Sequence, residues 1–112
     1  MTLEEFRASL TRPEPPSNLD WALQALWWDA RGNWDRAHEC AQVNEADPRA
    51  AWVHAHLHRK EGDLANAGYW YRRAGRPVAQ DALEAEWLAI ATALLKGLSG
   101  FQLRSRSTAI PD

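Results

Sequence analysis

The chain has little of what marks most function classes. It contains one cysteine, Cys40, and one methionine. A single cysteine excludes an internal disulfide and suits a small buried side chain in a reducing compartment. Lys and Arg number 13 against 15 Asp and Glu, a net charge of −2. That leaves no basic surplus for neutralising phosphates, so nucleic acid is not an expected partner. No apolar run approaches the roughly 18 residues a membrane span needs, so no membrane partner is expected either. The start, Met1-Thr-Leu-Glu-Glu-Phe, lacks the basic and apolar regions of a secretory leader, and the expected location is cytoplasmic. No catalytic signature is present, so a non-enzymatic role is favoured. What the chain does have is tryptophan, seven in 112 residues, and these large rings must be buried or used.

Charge is unevenly spread. Residues 1–47 carry four Lys/Arg against nine Asp/Glu, and residues 48–112 carry nine against six, so −5 is followed by +3. A dipolar distribution of this kind steers a protein partner better than it holds a membrane.

The apolar residues recur at helical spacing throughout, interrupted by glycine and proline. Thr2 and Glu5 make a capping-box pattern ahead of Leu3, Phe6 and Leu10, predicting a helix over 3–11. Pro13, Pro15 and Pro16 then break it. Ser17 with Asp20 is read as opening the next helix in the same way. Its two apolar stripes, Leu19-Leu23-Leu26-Ala30 and Trp21-Ala25-Trp28, predict burial on more than one side. Gly32 stops it. A helix from Trp34 to about Glu45 follows, with Trp34, Ala37, Cys40, Ala41 and Val43 turned inward. Pro48 suits the first position of a helix over 49–61, and Gly62-Asp63 separates that from a helix carrying Leu64, Ala67, Trp70, Tyr71 and Ala74. Gly75-Arg-Pro77 precedes a last helix over 79–97. Residues 99–112 have no clear period and are read as a mobile tail.

Laying residues 18–47 over 48–77 aligns Gly32 with Gly62, Trp34 with Leu64, Ala37 with Ala67 and Ala25 with Ala55, a period of 30. Small residues let helices cross closely, while a large neighbouring ring fills the gap. The pattern resembles the tetratricopeptide repeat, whose usual unit is about 34 residues. Trp21, Ala25, Trp28, Gly32, Trp34, Ala37 and Pro48 match it in the first unit. Ala55, Gly62, Leu64, Ala67, Tyr71, Ala74 and Pro77 match it in the second. The chain departs from the pattern at His58, where a tyrosine is usual, and at Ala41, where a large aromatic is usual. The stretches Ala51–Leu64 and Tyr69–Gly75 are also similar to small bacterial proteins to which no activity is assigned. The resemblance implies an all-α fold of about six helices, an antiparallel hairpin stack in a right-handed superhelix. Residues 1–98 would form one domain: an N-terminal helix 3–11, hairpins 18–47 and 48–77, and a capping helix 79–97.

In such a stack the first helix of each hairpin lines a concave groove. The resemblance therefore places Asp29 beside Arg49, Trp52, His56, Arg59 and Lys60, aromatic and cationic groups that suit an acidic or aromatic peptide. Ala22 and Leu26 stand where chaperone-binding members carry a carboxylate clamp, which excludes that partner. Adjacent rings cannot all face one core, because a helix turns about 100° per residue. Trp27, Tyr69 and Trp70 are accordingly read as candidate surface aromatics for an interface, with burial by the N-terminal helix as the bland alternative. Two hairpins are fewer than a solenoid usually needs, which also points to a homodimer.

A second reading belongs to a different class. His54 and His58 lie one turn apart on one helical face, with Glu61 following, and His38 on the neighbouring helix could add a ligand. Such a set would suit a divalent metal, zinc or iron. The glutamate base of a His-Glu-x-x-His motif is missing, since position 55 is Ala. His38 and Cys40 point about 200° apart and cannot act together. The leading reading is therefore a protein- or peptide-binding scaffold without a cofactor, and the alternative is a metal-binding protein or small metalloenzyme.

Overall fold

The computed structural model describes the backbone of residues 1–109 and the side chains of residues 1–96. The described residues are helical and contain no strand, as the periodicity predicts. The helices are α1 (Leu3–Ala8), continued by a 3-10 turn (Ser9–Thr11), α2 (Trp21–Ala30), α3 (Trp34–Gln42), α4 (Pro48–Glu61), α5 (Leu64–Ala74) and α6 (Leu83–Ala109). None is long and apolar enough to cross a membrane.

Local chemistry sets most of the boundaries. The Thr2–Glu5 capping box forms in both directions, at 2.9 and 3.0 Å. Asp20 caps α2 by accepting from the Leu23 amide at 2.9 Å, so Asp20 precedes the helix and Ser17 does not start it. Asn33, Asp47 and Asp63 cap α3, α4 and α5 in the same manner. Pro48 occupies the first turn of α4, where its missing N–H costs nothing. Gly62 ends α4 with φ of 90°, a left-handed conformation that a side chain would oppose. α6 begins at Leu83 rather than 79. It continues to Ala109, so the segment read as an aperiodic tail starts inside it, and residues 110–112 lie outside the described residues.

α4 is the hub, packing against α2, α3, α5 and α6. It can do so because Ala50, Ala51 and Ala55 let neighbours approach closely, and all three are buried. The main core joins Phe6, Leu23, Leu26, Trp27, Val53, Leu57 and Ile90, and a second cluster sets Tyr71 and Trp70 against Ala51, Ala55 and Ala67. α1 closes the bottom of this core. Phe6 stacks on Trp87 at 5.8 Å, and the Trp27 indole donates to Ser9 Oγ at 3.0 Å. Trp27 is thus fully buried, and Trp70 is only 7 % exposed; of the three aromatics expected at the surface, only Tyr69 lies there. Val43, expected inside, is exposed, because α3 ends at Gln42.

Candidate metal centre

The sequence His54-Ala-His56-Leu-His58 alternates along a helix, and alternate residues on a helix point about 200° apart. His54 and His58 therefore share one face of α4 while His56 takes the opposite one. All three are buried, and the two faces carry different chemistry.

On the first face, His38 of α3 completes a triad. Its Nε2 lies 3.0 Å from Nε2 of His54. One ligating nitrogen from each of His38, His54 and His58 falls within 4.8 Å of the others. Two indoles hold the rings in place. Trp34 stacks on His38 with centroids 4.7 Å apart and is itself anchored by donating to the Leu57 carbonyl at 2.8 Å. Trp70 stacks on His54 at 3.8 Å. Glu61 is 2.7 Å from Nδ1 of His58, placed to orient that ring, and with His58 and Asp63 it forms a second, more exposed grouping of ligating atoms within 4.8 Å of one another. His38, the optional ligand of the sequence reading, is a full member of the triad.

Two of the three rings, His38 and His54, are held towards the neutral form. Burial, reinforced by the neighbouring His38 and His58, pushes His54 down to about 3. His38 is lowered for the same reasons, burial first and then His58. Neutral imidazoles are what a metal ion requires, since each must offer a lone pair. Nδ1 of His54 is buried without a hydrogen-bond partner. Holding a polar atom in that state costs about 1–3 kcal/mol, so ring convergence is maintained against a local penalty.

These shifts carry a sign. The folded pKa of His54 lies below its unfolded value, so its stabilising contribution is present above about pH 6.5 and is lost as pH falls towards 3. Between pH 6.5 and 5, the unfolding free energy of chelator-treated protein from urea denaturation is expected to fall, by up to about 1.4 kcal/mol per pH unit for a fully excluded proton. His54→Gln should flatten that limb; an equally steep limb in the variant would contradict the assignment.

The opposite face of α4 holds the residues expected to line the groove. His56 bridges two carboxylates, with Nδ1 2.8 Å from Glu86 and Nε2 3.3 Å from Asp29. Arg59 reaches Glu86 at 2.8 Å, Lys60 reaches Asp29 at 2.9 Å, and the Tyr71 hydroxyl donates to Glu86. Burial opposes charge throughout this cluster, yet the hydrogen bonds prevail: His56 is raised, and Asp29 and Glu86 are lowered. Arg49 pairs with Asp20 and donates to the Leu94 carbonyl, while Trp52 is half-buried under the Arg76 guanidinium, 3.8 Å from its ring centre. His56 thus links Asp29 to Glu86 of α6, and Arg59 pairs with the same glutamate, so α6 packs beside these residues.

No family model, no curated protein and no solved structure matches this chain. The chemistry of the site itself therefore carries the functional argument.

Glu86 is the residue the sequence reading missed. It is 3 % exposed, although a glutamate in the first turn of a helix ordinarily reads as solvated. Trp34 and Trp70 were recognised as large rings, but their stacking on histidines depends on which helices pack together. Cys40 is buried and its thiol is pushed up by burial, consistent with packing and against nucleophilic use.

Proposed function

We propose that the protein binds a divalent transition-metal ion of the zinc type through His38, His54 and His58, with Glu61 orienting His58. The observation that carries this reading is the convergence of three mostly buried imidazoles from two helices, with two ring nitrogens 3.0 Å apart. In a tetrahedral zinc site with bonds of about 2.0–2.1 Å, ligating nitrogens lie roughly 3.3–3.4 Å apart. His38 and His54 need to open by only a few tenths of an ångström. The Glu61 contact occupies Nδ1 of His58 and leaves its Nε2 for the ion, the carboxylate–histidine arrangement that fixes ring orientation around metals.

The donor set favours an ion that accepts nitrogen ligands and four-coordination, since neither a thiolate nor a carboxylate belongs to the triad. His38 is half-exposed and Glu61 is exposed, so the fourth position faces outward. A bound ion there would supply Lewis acidity and a water of lowered pKa, while the chain's residues hold the three rings and keep His38 and His54 towards the unprotonated form. The scaffold around the site is read as two tetratricopeptide-like hairpins, α2–α3 and α4–α5, stacked with a superhelical twist. Support for that comes from the matched glycine stops at Gly32 and Gly62 and the small residues of α4.

Equilibrium dialysis against zinc, after chelation, tests the reading. One ion per chain is expected for the native sequence. His38→Ala should weaken binding by about tenfold or more, and His54→Ala with His58→Ala should abolish it. Equal retention by all three proteins would overturn the site.

A further inference from the structure

A cavity of about 340 Å³ opens where α1, α2, α4 and α6 meet, on the side of α4 away from the histidine triad. Leu10, Leu83, Trp87 and Leu88 make its apolar wall. The buried Asp29–His56 pair, 3 % and 1 % exposed, also lines it, together with Lys60 and Arg7. This is the remnant of the groove after α6 has packed across it. It has the makeup of a small-molecule site: concave, apolar-walled, with a few converging polar groups.

The hydrogen-bonding capacity left over selects the ligand. Asp29 is an acceptor whose two oxygens are already engaged, Oδ1 by Lys60 at 2.9 Å and Oδ2 by His56 at 3.3 Å. Both ring nitrogens of His56 are likewise engaged. Lys60 spends one of its three donors on Asp29 and is 41 % exposed at the side chain, and Arg7 brings five donors from an exposed position. Apart from the Glu84 carboxylate, what the lining has in reserve is therefore cationic donors, beside an apolar wall.

We infer that this cavity binds a small organic monocarboxylate with an apolar body, its carboxylate held by Lys60 and Arg7 and its body against Trp87 and the surrounding leucines. The volume is about ten water volumes, at the lower end for ligand pockets, which limits the ligand to a single ring or a short branched chain. Glu84, on the rim, opposes an anion and sets an upper limit on affinity.

Calorimetric titration of the full chain with 3-phenylpropionate, its amide and 3-phenylpropylamine tests the inference. The chain is treated with chelator so that the metal site plays no part. Saturable binding of the carboxylate is expected, with the amide about tenfold weaker, the scale of one charge-assisted hydrogen bond. Arg7→Gln should weaken carboxylate binding several-fold and Glu84→Gln should tighten it. Both residues are exposed, so both variants are expected to fold, and unchanged circular dichroism would verify this. Equal binding of acid and amide, preference for the amine, or no saturation with any of the three would each overturn the proposal. Because the cavity and the triad use opposite faces of α4, failure of one reading leaves the other measurable.

Discussion

Replacing Glu86 with Leu is expected to cost about 3–5 kcal/mol of folding stability, the usual penalty for stripping one partner from a buried charged cluster. Total stabilities of domains this size run to only about 5–15 kcal/mol, so the variant should be near unfolding at room temperature. The volume of the side chain is preserved, and cavity formation is therefore a minor contribution. What is lost is the acceptor for three groups at once. His56 would be left with Asp29 alone, Arg59 with the Asp81 carbonyl alone, and the Tyr71 hydroxyl without its acceptor. Glu86→Gln keeps an acceptor and removes the charge, so its loss should be smaller, about 1.5–3 kcal/mol. Urea denaturation of the three proteins gives the comparison. A loss below 1 kcal/mol for Glu86→Leu would show that α6 does not seal the groove through this residue.

The second large effect concerns the other face of the same helix. Zinc at a hundred times its dissociation constant should stabilise the native chain by about 2.7 kcal/mol, because the ion binds the folded triad and not the unfolded chain. For a domain of this length, with about 4–8 °C per kcal/mol, that raises Tm by roughly 10–20 °C. The shift should vanish in His54→Ala, and magnesium should not reproduce it, since that ion prefers octahedral oxygen ligands. Trp34→Phe separates ligand from support. The variant keeps all three imidazoles but loses the indole bond to the Leu57 carbonyl, so zinc should still bind, with a smaller shift. An equal shift in native protein and His54→Ala would place the zinc elsewhere.

Much of the architecture could be read before any coordinates. Gly32, Gly62 and Gly75 fall at the helix ends where positive φ is required, and Pro48 sits where helices tolerate proline. These are local effects, decided by a residue's own backbone preference. The pairing of His54 with His58 was legible for the same reason, since a one-turn spacing forces a shared face. The position of α6 was not legible. Its apolar residues state that it is buried, but not that it crosses α2 and α4. Glu86 therefore looks like a solvated first-turn acid until His56, Arg59 and Tyr71 are brought around it. Trp27 and Trp70 were misplaced by a related limit. The repeat spacing allots one ring of each adjacent pair to the core, whereas α1 supplies a second burial site for Trp27, and His54 supplies a stacking partner for Trp70. The pairing of the groove residues His56 and Arg59 with α6 was hidden for the same reason.

Three imidazoles sharing one ion define the proposed centre. X-ray absorption at the zinc edge of the loaded full-length chain addresses that claim directly. The prediction is four-coordination with three imidazole nitrogens at about 2.0–2.1 Å, and a clear loss of imidazole scattering in His38→Ala. A first shell of water or carboxylate oxygens, or a spectrum that His38→Ala leaves unchanged, would contradict it.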